Sequence, residues 1–301
     1  MIERIYIKNF RCLTDCELRL EPLTLFLGEN GTGKSSVFDV ISRIKRFVCE
    51  NCLASETFNP IYVTRGNRDQ RQQFAVDVRL DLGLYRYSLS LQHHGAAGIV
   101  EEEKLMLDDF PLHESRGGNR SGIVASTSDV RALGFWNYLN ESVVVASSQD
   151  NVDPKSRGFF VHQSQNRHDA LRETLKMVFG DRFSNSLDRW SELSEGERML
   201  IFLYSLIGPG RIVKGTLLLD EPDNFLSLRE IQPWLLSLIE AVGPIVEQAV
   251  IISHHPELIN QLAGDRGIWF TRDEGGPTRI ERRQFSTDEP LTPAELAARG
   301  W

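Results

Sequence analysis

The chain of 301 residues is 41% hydrophobic and 25% charged, an ordinary globular composition with enough apolar residues for a sizeable core. Its net charge of −8 gives no support for nucleic acid as a bulk partner. No stretch is apolar over the roughly 18 residues that a membrane helix needs. Met1-Ile2-Glu3-Arg4 lacks the basic and apolar regions of a secretory signal, so a cytoplasmic location is expected.

Residues 2–8 alternate apolar and polar, with Ile5 and Ile7 on one face, the period of a strand. Residues 18–20 and 23–27 read as two more. Leu23-Thr24-Leu25-Phe26-Leu27 is nearly all apolar, as in a strand buried on both faces. A glycine-rich turn follows, then a helix with Val37, Val40, Ile41, Ile44 and Val48 on one stripe. Residues 74–80 and 85–91 alternate around Gly83, which predicts an antiparallel meander inserted after the first helix. Gly117-Gly118-Asn119-Arg120-Ser121-Gly122 reads as a flexible loop marking a boundary within the domain. The pattern is helical from about residue 169 to 207. The short apolar runs 216–219 and 249–252 read as further central strands.

Two side features have ordinary readings. The arginines of Thr64-Arg65-Gly66-Asn67-Arg68-Asp69-Gln70-Arg71 fit a surface loop, with a phosphate contact as the sharper alternative. Cys12, Cys16, Cys49 and Cys52 have zinc-compatible spacings. The two pairs would have to meet in space, however, and no knuckle residues flank them, so reduced thiols are expected.

Three motifs carry chemistry. Gly28-Glu29-Asn30-Gly31-Thr32-Gly33-Lys34-Ser35 matches G-x₄-G-K-[ST], a loop whose backbone amides and following helix start cradle phosphate. Lys34 is expected to reach the β- and γ-phosphates and Ser35 to place its hydroxyl on Mg²⁺. Leu217-Leu218-Leu219-Asp220-Glu221-Pro222 puts two carboxylates at a strand end, where ligands sit in open α/β sheets. Asp220 would hold Mg²⁺ through water, and Glu221 would take a proton from attacking water. Ser194 and Glu197 have capping-box spacing ahead of a very apolar helix.

These motifs, followed by Ile252-Ser253-His254-His255-Pro256, occur in the order seen in ABC ATPases. The opening Ile5-Tyr6-Ile7-Lys8-Asn9-Phe10-Arg11 resembles the start of the SMC, RecF and OLD branch, and within it the small stand-alone OLD-like or RecF-like AAA family ATPases of bacteria. The resemblance implies an α/β P-loop NTPase fold with an ABC-type head: a central mostly parallel sheet, an inserted antiparallel β meander and a helical signature lobe. One domain over 1–301 is expected, with a P-loop unit at 1–50, the β insertion at 60–115, the helical lobe at 123–215 and the remaining elements at 216–301.

The resemblance also implies site residues. Arg11, Asn30, Gly31, Thr32, Gly33, Lys34, Ser35 and Ser36 would hold ATP. Ser194 and Gly196 would touch the γ-phosphate held by a second copy of the chain. Glu221, His254 and Lys34 would serve catalysis, and Ser35, Asp220 and Gln149 the Mg²⁺. His255 is the alternative to His254, and Gln149 competes with the reading of a surface glutamine. Residues 223–227 occupy the place of the loop that crosses the dimer. Glu195 and Glu197 stand where transporter ATPases prefer glycine and glutamine. No coiled-coil arm is expected, and the 45 residues after Pro256 lead to the expectation of an ATPase head without a Toprim nuclease domain. The expected function is an ATP-hydrolysing, nucleotide-gated homodimer that controls a separately encoded effector, in phage defence or DNA maintenance. DNA or RNA as a partner has no support from charge, and no membrane contact is expected. The alternatives are a transporter's nucleotide-binding subunit and an ATP-gated scaffold with little turnover.

Overall fold

A computed structural model describes residues 1–67, 69–95, 97–123, 128–147, 173, 176–177, 180, 192–208, 215–283 and 291–299. Two six-stranded sheets organise them. The first is antiparallel. It joins β1 (Ile2–Phe10) and β2 (Leu13–Arg19) to β4 (Arg71–Leu80), β5 (Gly83–His94), β6 (Ala97–Leu107) and β7 (Phe110–Ser115), in the order β2-β1-β4-β5-β6-β7. The second has the order β12-β11-β3-β10-β9-β8. It contains β3 (Leu23–Leu27), β8 (Val143–Ser147), β9 (Thr216–Asp220), β10 (Gln248–Ile252), β11 (Gly267–Arg272) and β12 (Thr278–Glu281). The pairings β8–β9, β9–β10, β10–β3 and β3–β11 are parallel, and β12 adds antiparallel to β11.

The sequence pattern explains this division. In β1 the buried residues alternate with half-buried ones, the mark of a sheet with one face in the core. Every residue of β3 and of β10 is buried, because these strands lie inside a parallel sheet covered on both faces. Along β9 and β10 the two faces serve different cores. Leu218, Val250 and Ile252 join Phe26 in a cluster with helix α1 (Lys34–Cys49) and the antiparallel sheet. Leu217, Leu219, Ala249 and Ile251 pack on the other side. There they meet α4 (Glu195–Ile207), α5 (Leu228–Ala241) and α6 (Pro256–Arg266), which follow α2 (Ala54–Thr57) and α3 (Val130–Asn137) in the chain and precede α7 (Pro293–Ala298). The α1 stripe runs Val37, Val40, Ile41, Ile44 and Val48, all buried, so the first helix lies in the core shared by both sheets.

Two expectations are corrected here and a third is made specific. The second strand begins at Leu13 rather than Leu18, because it pairs with β1 from Phe10–Leu13 to Arg4–Arg19. The antiparallel meander follows α1 as expected, and β4 pairs along β1 from Ile2–Val78 to Lys8–Gln73, so the N-terminal hairpin and the meander share one sheet. The glycine-rich loop 117–122 is docked rather than loose. Glu103, fully buried, accepts hydrogen bonds from Ser121 Oγ at 2.7 Å and the Gly122 amide at 2.7 Å. The Ala54 amide donates to Asn119 O at 2.8 Å and the Gly117 amide to Val100 O at 2.8 Å. A buried carboxylate must be paired to be tolerated, so this loop serves as the lid of Glu103. Among the described residues no helix is long and apolar enough to cross a membrane.

Candidate functional site

The phosphate loop leaves β3 at Gly28, whose φ of 134° lies where a side chain is strained. A Cβ there would also stand 2.0 Å from the Phe270 carbonyl oxygen, so only glycine fits. Gly31 and Gly33 have φ of 80° and 105°, which curls the backbone into a nest. Thr32 Oγ1 closes the turn by donating to Glu29 O at 2.7 Å. Helix α1 starts at Lys34 with Gly33 as its cap residue; the Ser36 amide donates to Gly33 O at 3.1 Å, and the amides of Lys34 and Ser35 ahead of it have no carbonyl to meet within the helix. The Lys34 side chain folds into the loop, and its Nζ donates to Gly28 O at 2.6 Å and Glu29 O at 2.8 Å. Burial lowers the pKa of this ammonium, while the negative charges of Asp220, Glu221 and Glu29 pull it back up.

The two carboxylates come from the end of β9. Its pairing with β10 sets Asp220 beside Ile252, and the Glu221 amide then donates to Ile252 O at 2.9 Å. Asp220 lies beside the Ser35 side chain. Burial raises its pKa, the Ser35 side chain opposes this, and the neighbouring Glu221 charge adds to it. Glu221 has φ of 50°, an uncommon backbone state for a side chain of this kind. Asn224 Nδ2 donates to its Oε2 at 2.8 Å, fixing one carboxylate oxygen.

The consecutive histidines separate. His255 is the cap residue of α6, and its Nδ1 accepts from the Glu257 amide at 3.2 Å. His254 is the one that feels the site. Its pKa is lowered by burial and then by the Lys34 charge, with Glu221, Asp223 and Asp220 acting the other way.

Arg11, at φ 53°, points along the wall of α1. Its Nη2 pairs with Asp39 at 2.7 Å, its Nη1 donates to Ser36 Oγ at 3.4 Å, and its guanidinium lies 5.1 Å from the Tyr62 ring centre. Asn9, buried and also at positive φ, organises the neighbouring loop. Its Nδ2 donates to Asp69 O and Arg71 O, and its Oδ1 accepts from the Thr64 amide and from Asn67 Nδ2. All four hydrogen-bonding capacities of this amide are used.

These elements enclose a cavity of about 640 Å³, within the range of small-molecule sites. Arg11, Asn30, Gly31, Gly33, Lys34, Ser35, Ser36 and Glu221 line it. Thr32 and His254 line a smaller cavity of about 260 Å³ beside it. Ser194 and Gly196 belong to neither. Ser194 starts α4 with a complete capping box, its Oγ donating to Glu197 Oε2 at 2.8 Å and accepting from the Glu197 amide at 3.3 Å. Gly196 packs on residues 225–226, where a Cβ would meet Phe225 O at 2.7 Å. Gln149 lies outside the described residues. Sequence reasoning passed over Tyr62, Arg272 and Pro277 as cavity walls, because nothing local marks a residue that lines a site only through the fold. Thr64 and Arg65, read as part of a surface loop with a phosphate contact as the alternative, are also in the wall.

The residues present fit a nucleotide with a divalent cation. A glycine-rich curl of backbone, one lysine and a neighbouring hydroxyl and carboxylate suit phosphate with a hard cation. The raised pKa of Asp220 marks negative charge crowded into a half-buried place, which a cation would relieve. A stability consequence follows. A carboxylate whose folded pKa is raised favours the fold while protonated, and that contribution is lost as pH rises through the folded pKa. Asp220→Asn is therefore expected to raise the melting temperature of the nucleotide-free protein at neutral pH. The gain should shrink as pH falls toward the ordinary carboxylate range. Thermal melts at several pH values check it, and a lowered midpoint at neutral pH would contradict it.

Residues 1–81 match the AAA ATPase domain family. A segment of 44 residues is 46% identical to an OLD nuclease from Thermus scotoductus, covering 15% of this chain and 8% of that protein. The chain therefore spans a small fraction of that relative's length. The fold is similar to the SMC head domain from Thermotoga maritima, with a TM-score of 0.58, 16% identity, and coverage of 94% of this chain and 99% of the other. These likenesses set an AAA ATPase-like segment, which contains the phosphate loop, within a fold similar to that of an SMC head.

Proposed function

We propose that the chain binds ATP with Mg²⁺ in the cavity of the phosphate loop and hydrolyses it. The observation that carries this reading is the meeting of Lys34, Asp220, Glu221 and His254, from three separate strand ends, around one loop of backbone amides. The loop amides and Lys34 bind and orient the phosphates, and Arg11 and Ser36 border them. Ser35 and Asp220 are the residues that would hold Mg²⁺, which neutralises phosphate charge when bound. Glu221, braced by Asn224, takes the proton of a water whose oxygen attacks the γ-phosphorus as the bond to the bridging oxygen breaks. His254, kept neutral by its lowered pKa at neutral pH, can hydrogen-bond the γ-phosphate or that water.

The finer reading is that two copies close on two nucleotides. The exposed start of α4 at Ser194 and the strained, exposed Phe225 at φ 72° support it, since both would gain a partner in a closed pair. Closure would then control a separately encoded effector in phage defence or DNA maintenance. Lys34→Ala tests the core of the proposal. Losing the charge-assisted contact is expected to weaken ATP binding by about 1.5–3 kcal/mol. Isothermal titration with ATP and Mg²⁺ measures it, and unchanged affinity would mean that the loop is not the nucleotide site.

A further inference from the structure

A strand pair that no motif marks supports the outer side of the phosphate loop. β11 runs parallel beside β3, from Gly267–Leu25 to Trp269–Leu27, and turns back through residues 273–277 into β12. Four contacts tie this hairpin to the loop. The Phe270 carbonyl abuts Gly28. Arg272 Nε donates to Gly276 O at 2.6 Å, which holds the guanidinium across the turn, and its Nη1 donates to Gly31 O at 3.2 Å. Thr278 Oγ1, only 6% exposed, donates to Thr32 O at 2.8 Å. A Cβ on Gly33 would meet that same Oγ1 at 3.2 Å and Cys12 Sγ at 2.9 Å, while the Thr278 amide donates to Cys12 O at 3.1 Å.

The direction of these bonds matters more than their number. In a trans peptide the C=O and the following N–H point opposite ways, and no cis bond occurs among the described residues. Holding the carbonyl of Thr32 toward the hairpin therefore turns the amide of Gly33 toward the hollow of the loop, while the Thr32 amide, opposite the held Gly31 carbonyl, closes the turn on Glu29 O at 3.4 Å. An anion nest depends on that orientation. Glycines are free to rotate the other way, and a loop that must first reorient its peptides binds more weakly.

We propose that Thr278 and Arg272 are positioning residues of the nucleotide site, setting the phosphate loop in its anion-binding shape before nucleotide arrives. The proposal rests on the reading that this loop binds ATP. It assigns a role in binding to the hairpin 267–281, which the motifs do not reach.

Titration with ATP and Mg²⁺, together with steady-state phosphate release, tests it on the wild type, Lys34→Ala, Thr278→Val, Thr278→Ser and Arg272→Gln. Thr278→Val is expected to weaken ATP binding by about fivefold to tenfold, the loss of one buried hydrogen bond. KM should rise in parallel, with kcat at saturating ATP kept within about twofold, as for a binding-only effect. Thr278→Ser keeps the hydroxyl and should restore affinity. Arg272→Gln, at an exposed position, should weaken binding by about twofold to fivefold and serves even if Thr278→Val fails to fold. Wild-type affinity in both Thr278→Val and Arg272→Gln, with binding lost in Lys34→Ala, would overturn the hairpin's role and leave the ATP reading standing. A fall in kcat at unchanged KM would overturn it too. A wild type that binds no ATP would overturn both.

Discussion

Glu221→Gln is expected to slow ATP hydrolysis by about 10²–10⁴-fold, the usual worth of a positioned general base, while ATP still binds. Glutamine keeps the shape and leaves Asp220 beside Ser35, but it cannot accept the proton. Its amide can still meet Asn224, which now donates to Glu221 Oε2 at 2.8 Å. If two copies close on nucleotide, ATP then persists between them. The variant should form a stable dimer with ATP and separate with ADP. Adding Ser194→Arg places a bulky cation at the start of α4 and should abolish that dimer while each monomer still binds ATP. Phosphate release and light scattering, with each nucleotide, read both effects. A Glu221→Gln protein that turns over at the normal rate, or that stays monomeric at saturating ATP, would remove the two-copy mechanism and leave the phosphate loop alone.

Leu218→Ala is expected to destabilise the fold by about 2–5 kcal/mol, from lost transfer energy plus the cavity left behind. Leu218 is 1% exposed on β9, paired to Val250 of β10 on one side and Val145 of β8 on the other. Its side chain faces the core shared with Phe26, Val250, Ile252 and α1. The strand also delivers Asp220 and Glu221 to the loop, so softening it should loosen the site along with the fold. Denaturant melts of the two proteins compare directly. A loss under about 0.5 kcal/mol, the range of surface changes, would be incompatible with this packing.

The parts of this protein that the sequence alone determines are those governed by local rules. Nearly uninterrupted apolar residues in β3 and in β10 announced strands with two covered faces, as expected of interior parallel strands. Glycines at 28, 31 and 33 with the following Lys34 announced a phosphate nest, because few other residues tolerate the positive φ that it requires. Ser194 and Glu197 announced a helix start, a matter of reach over three residues. Tertiary structure decided the rest. The sequence placed a meander after α1, but only strand pairing made β4 a neighbour of β1, because a period of two says which face is buried and not which strand lies alongside. The sequence favoured His254 over His255 by motif order; in the fold His255 is engaged as a helix cap while His254 is coupled to Lys34 and Glu221. Arg272 and Thr278 meet the carbonyls of Gly31 and Thr32 from the far end of the chain. No local pattern encodes such a contact, because it exists only once β11 has docked beside β3 and brought the two backbones into hydrogen-bonding range.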